Sequence, residues 1–240
     1  MRQSRLTLRF DDGEEGSSHG GEVRAGVAST TLSLLSAATQ GLQAMAPGVR
    51  PGHTVMNFQE LIADRRTIHD YRVEPLPEGA LERGLTVALT APNHRMTEPW
   101  RFVRVGPNAR ARLVDISADL KSGGAGLSGP ALDKLRAKML SPAELIVVCQ
   151  VRSEDPVLTR EDYAAVACSI QSAMLAWWSE GIGSKWSTGG VTTDARTYEV
   201  LGVDASQEEI VGFLWAGYSA RETPKPRRRR ALAEVLRVVP

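Results

Sequence analysis

Cysteine is scarce. Cys149 and Cys168 are the only two in 240 residues, and both lie in apolar runs. That excludes a disulfide framework and reads as two buried thiols in a reducing, cytoplasmic setting. The four histidines, His19, His53, His69 and His94, fall at no metal-ligand spacing, so no metal is expected. Neither sign of charge dominates: the formal net charge is +1, too little to recruit nucleic acid or a membrane surface. No run is convincingly membrane-spanning. Residues 25–45 carry no charge, but their serines, threonines and glutamines leave them only mildly apolar. Acidic residues, not basic ones, precede that run, which argues against a signal peptide. No Gly-x-Gly-x-x-Gly follows a strand pattern, so a nicotinamide cofactor is not expected to bind in Rossmann fashion.

What is present is a sizeable core. Hydrophobic residues make up 42% and charged residues 24%, the proportions of a globular protein. Residues 1–55 read as an N-terminal extension, flexible or a loosely packed helix, and residues 56–240 as one domain. The organising stretch is Asp162–Gly190. Tyr163, Val166, Ala167, Ile170, Ala173, Met174 and Trp177 recur at helical spacing, and Ala164, Cys168, Leu175 and Trp178 form a second stripe. Apolar character on two sides predicts a buried spine helix. Thr159 with Asp162 suggests a capping box at its start, and Gly181 a left-handed stop at its end. A glycine-rich loop, Trp186-Ser187-Thr188-Gly189-Gly190, follows.

Before the spine, Asn57 and Glu60 form a capping box for a short helix whose inner face is Phe58, Leu61 and Ile62. A second helix carries Leu81, Leu85, Ala88 and Leu89. Trp100–Val105 reads as a strand, residues 108–120 as a surface helix, and residues 130–140 as a helix with proline in its first turn. Leu145–Cys149 is a continuous apolar run, hence a buried strand, and Ile210–Tyr218 is a third. Helix is expected over residues 193–201. The sum is an α+β domain.

Four separated segments resemble the nitroreductase family, in that family's order. Arg65-Arg66-Thr67-Ile68-His69 is similar to its Arg-Arg-Ser-x-Arg opening. Ala91-Pro92-Asn93-His94 with Glu98-Pro99-Trp100-Arg101-Phe102 resembles its Ala-Pro-Ser…Gln-Pro-Trp-Arg-Phe loop. Residues 181–189 resemble the Gly-Leu-Gly…Trp-x-Thr-Gly element, and Ile210–Tyr218 with the Arg227-Arg228-Arg229-Arg230 tail resembles the closing strand and basic tail. The chain departs from the pattern at His69, where an arginine is usual, and at Thr67, Asn93 and Glu98.

The resemblance implies a nitroreductase-like three-layer fold, a small antiparallel-rich sheet around a buried central helix, with FMN at the interface of a homodimer. NAD(P)H would be a transient electron donor and a nitroaromatic or quinone a small-molecule acceptor, with neither nucleic acid nor membrane as partner. It assigns Arg65, Arg66 and Thr67 to the ribityl chain and ring edge, places His69 in the cofactor site without the usual arginine charge, and assigns Arg228, Arg229 and Arg230 to the phosphate. Trp186, Ser187, Thr188 and Gly189 would lie along the ring, and Thr90 and His94 would reach flavin. Arginine suits a phosphate because its guanidinium is a rigid, permanently charged fork. No catalytic side chain is assigned.

Each residue also has a plainer reading. Arg65-Arg66 suits any helix C-terminus, the arginine run any solvated basic patch, and His94 an ordinary loop. Rival functions are a non-catalytic flavin-binding module, a reductive dehalogenase and a flavin-consuming enzyme of the same superfamily.

Overall fold

The computed structural model describes residues 57–239. The expected extension over residues 1–55 lies outside them. Seven α-helices and four strands follow one another among the described residues: α1 (Phe58–Asp64), α2 (Ala80–Ala88), β1 (Trp100–Arg104), α3 (Pro107–Ser122), α4 (Gly129–Leu140), β2 (Glu144–Val151), α5 (Pro156–Ser179), β3 (Gly183–Ser187), α6 (Gly190–Thr193), α7 (Ala195–Leu201) and β4 (Glu208–Gly217). The sheet order is β1-β2-β4-β3, with every pair antiparallel. The α+β expectation holds, with four strands in place of three. β3 escaped notice because five residues, glycine and lysine among them, carry little strand propensity.

Alternation along the strands builds three layers. Ile146, Val148, Leu214 and Ala216 face α2 and α5, where they meet Ala80, Leu81, Val166, Ile170 and Trp177. Leu145, Val147, Phe213 and Trp215 face the other way, onto Leu113 and Val114 of α3 and Leu135 and Met139 of α4. Leu145–Cys149 of β2 is continuously apolar because both faces of the strand are covered. Each such side chain contributes about 1.5–3 kcal/mol relative to exposure.

α5 is the spine, and it starts earlier than its sequence suggests. Asp155 caps it, accepting from the amides of Val157 and Leu158 at 2.8 and 3.4 Å, so Thr159 and Asp162 lie inside the helix. Gly181 has φ 76°, the left-handed residue that stops it. Of the first stripe, Val166, Ile170, Ala173, Met174 and Trp177 are buried as expected, while Ala167 is half-buried and Tyr163 is exposed. The other is not: Ala164 and Cys168 are exposed in the single chain, so only Cys149 is a buried thiol. α1 differs in the same way. Its capping box forms, but Phe58 and Ile62 point outward and nothing on it is buried. Among the described residues, no helix is long and apolar enough to cross a membrane.

Two fixtures hold the layers in place. Gly84 of α2 lies directly against Trp177 of α5, whose indole N–H donates to the Ala80 carbonyl at 3.1 Å. Buried Arg110 of α3 donates to the carbonyls of Val105, Pro142 and Ala143 at 3.1, 2.7 and 3.1 Å, tying α3 to the end of β1 and the turn before β2.

Candidate functional site

The segment after α1 runs along the outer edge of β3. The Ile68 amide donates to the Ser184 carbonyl at 3.1 Å, and Thr67 bridges Ser184 in parallel. Farther on, Arg72 donates to the Tyr218 carbonyl and Ala220 to the Asp70 carbonyl, each at 2.9 Å. The chain leaving β4 is thereby brought back over the end of α1. Arg66 completes the closure by donating from Nε to the Pro224 carbonyl at 3.2 Å.

A polar cleft of about 550 Å³ results, lined by Arg65, Arg66, Thr67, His69 and Gln171 on one side and by Lys225, Arg227 and Arg229 of the tail on the other. Among the described residues, no carboxylate lines it. Arg66 is committed to the backbone, its Nη1 donating to the carbonyls of Ala63 and Arg65 at 2.6 and 2.8 Å. It thus satisfies the last carbonyls of α1, the plainer role open to it. Arg65 is different. Its Nη1 is buried without a hydrogen-bond partner, and burial, then Arg66, then Arg229 hold its pKa below the usual value. A guanidinium penalised by burial and by like charges, with no acid beside it, is a site for an anion.

The cleft continues. His69 also lines a second cavity of about 420 Å³ with Tyr71, Lys134, Lys138 and Lys185. Lys138 lines a third, of about 330 Å³, with Ser187, Thr188, Gly189, Gly190, Phe213 and Trp215. Sharing His69 and then Lys138, the three cavities follow one another beside β3 as a groove, cationic at one end and mainly apolar at the other. Ser187 accepts from the Trp215 indole N–H at 2.8 Å, which fixes the ring in the apolar end.

The expected site residues divide accordingly. Arg65, Arg66, Thr67, His69 and Arg229 meet in the cleft; Ser187, Thr188 and Gly189 form the far end of the groove. Trp186 points to the opposite face of the sheet, against Gly212, as alternation along β3 requires. Arg228 and Arg230 are exposed and do not line the cleft. Thr90, exposed in the turn after α2, donates to the Val87 carbonyl at 2.8 Å. His94 Nδ1 lies 3.0 Å from Glu161 Oε2 at the start of the spine, also outside the groove. Its loop is strained, with Arg95, Met96 and Glu98 all at positive φ. Arg227 enters from the sequence only as part of the basic tail, and nothing in the sequence picks out Lys225, Lys138 or Lys185 as site residues. A charged residue between Ser184 and Trp186 in an otherwise uncharged stretch was the available signal for Lys185.

The nitroreductase family model matches residues 62–218. The Bacillus subtilis protein named "Putative NAD(P)H nitroreductase YfhC" is 29% identical over 185 residues, 76% of this chain and 93% of that protein. A nitroreductase-like family protein from Bacillus cereus superposes with a TM-score of 0.65 at 26% identity, covering 78% of this chain and 98% of that one. The FMN complex of a nitroreductase-type protein from Desulfovibrio desulfuricans superposes at 0.59 and 22% identity, covering 78% and 98%. The family model covers well over half of the chain: this chain belongs to the nitroreductase family.

Proposed function

We propose that the groove holds FMN and that the chain is an NAD(P)H-dependent oxidoreductase acting on a nitroaromatic or quinone-type acceptor. The observation that carries the reading is Arg65, half-buried, with its Nη1 buried and unpartnered and crowded by Arg66 and Arg229, in a cleft lined by no carboxylate among the described residues. A phosphate dianion fits that need. The cavities that follow run from polar to apolar, as a ribityl chain followed by a flat ring demands. Bound FMN would supply the redox chemistry, a two-electron transfer between NAD(P)H and the acceptor.

The chain's own residues bind and orient. Arg65 and Arg229 hold the phosphate, while Arg66 secures the tail that carries Arg229. Thr67 offers a hydroxyl to the sugar chain. Ser187, Thr188 and Gly189 let the backbone approach a planar ring, and Phe213 and Trp215 keep that end dry. Catalysis then rests on placement and on fixed charge, which explains why no acid–base pair stands out.

The same reading makes the chain a homodimer. Phe58, Ile62, Leu232, Leu236 and Val238 are exposed, as are Ala164 and Cys168 of the spine, and a second copy would cover them. Thr90 and His94, remote from the chain's own groove, are then assigned to the partner's. Light scattering that returned a monomer would remove this part.

The test is an absorbance spectrum of protein purified with FMN, repeated under anaerobic NADPH. A yellow chromophore that bleaches supports the reading. Protein that takes up no FMN defeats it, and flavin that never bleaches leaves a binding module.

A further inference from the structure

Lys185 lies on β3 with its side chain on the Trp215 face of the sheet. The residue is 3% exposed, and its ammonium has no hydrogen-bond partner. Nζ sits 5.3 Å from the centre of the Trp215 ring, which is itself fixed by Ser187. Lys185 is one of the residues lining the middle cavity, with its ammonium buried just beneath that surface. The charged and titratable groups around it come from two elements. His69, Asp70 and Tyr71 belong to the segment beside β3, and Lys134 and Lys138 belong to α4. Asp70 is already paired with Arg221 at 3.0 Å, and the buried Tyr71 hydroxyl lacks a partner too. Burial, then Lys138, push the Lys185 pKa down to about 8, with Asp70 opposing.

An ammonium desolvated beside other cations destabilises the protein that holds it. Its position is explained if negative charge arrives in the groove. The phosphate end has its own arginines, so this lysine answers to the next part of the ligand. It lines the same cavity as His69, which stands where the family pattern has arginine.

We propose that Lys185 is the fixed positive charge for the electron-rich, reduced form of the group in the groove, supplying from β3 the charge absent at His69. This rests on the FMN reading above. Reduction by two electrons leaves negative charge on the ring's N1–C2=O edge, so a buried cation favours reduced over oxidised flavin.

The test compares FMN-loaded wild type, Lys185→Met and Lys185→Met/His69→Arg by reductive titration against a reference dye. The single variant should hold reduced FMN at least tenfold less tightly relative to oxidised FMN, a drop of about 30 mV for a two-electron couple. Adding arginine at position 69 should restore most of it. Without FMN, Lys185→Met should unfold at an equal or higher denaturant concentration than wild type. An unchanged oxidised-to-reduced ratio, no restoration by the arginine, or a variant that fails to fold each overturns the proposal while leaving FMN binding intact. Wild-type protein that binds no FMN sinks both readings.

Discussion

Arg66 Nε donates to the carbonyl of Pro224 at 3.2 Å, joining residues 158 positions apart. The bond fastens the basic tail across the end of α1, and the tail carries Arg229 to the side of Arg65. Of two adjacent arginines, one therefore builds the cleft and the other is left unpartnered inside it.

That division separates two variants. Arg65→Ala and Arg229→Ala should each weaken FMN binding by roughly ten- to a hundredfold, the scale of a charge-assisted hydrogen bond at about 1.5–3 kcal/mol. Neither should lower the stability of the flavin-free protein. Arg228→Ala and Arg230→Ala should change affinity less than threefold at roughly physiological salt. Quenching of flavin fluorescence on titration measures all four.

Arg66→Ala should act through the tail. Losing its bonds to Ala63, Arg65 and Pro224 should cost about 1–3 kcal/mol of local stability. Trypsin should then cut within residues 225–230 well before it cuts the rest of the fold. A tail as resistant as that of the wild type would contradict this account.

Gly84→Ala should damage the whole domain. A Cβ at that position would overlap the Trp177 indole, so α2 and α5 could not keep their approach or the Trp177–Ala80 bond. Overpacking of this kind costs typically about 1–3 kcal/mol, visible as a lower urea midpoint.

Lys185 should leave a signature in the pH dependence of flavin-free stability. Its folded pKa of about 8 lies below the ordinary value of 10.5, so above pH 8 the unfolded chain binds the extra proton. Stability from this group therefore rises as pH climbs from about 8 toward 10.5, and is absent below 8. Cys149 works in the opposite sense, because burial and then Glu208 push its thiol up to about 12, while the unfolded thiol ionises near its ordinary value of 9.0. Tyr71, raised by burial, also opposes it at higher pH. The clean measurement is the difference in urea midpoint between wild type and Lys185→Met at pH 7.5 and pH 9. The gap should narrow at the higher pH.

Much was legible because it depends on neighbours in sequence. The Asn57–Glu60 box, the Gly181 stop and the apolar run of β2 are local patterns, and local patterns fix local structure. The Arg65–His69, Gly181–Gly189 and tail segments identified the family without any contact being known. What failed was also instructive. α1 and the second stripe of α5 are apolar without being buried in the single chain, since periodicity marks which residues avoid water but not what covers them.

The sequence by itself determined most of the elements, with β3 the exception, and the basic residues available to an anion. Only the tertiary structure decided which of those residues act together. Pairing of residues 67–72 with β3 and β4, and the return of the tail over Arg66, bring Arg65 to Arg229 while sending Arg228 and Arg230 to solvent. The same sheet edge turned an unremarked lysine into a buried, unpartnered charge. Electrostatic roles depend on distance and desolvation, and both are properties of packing, not of order along the chain.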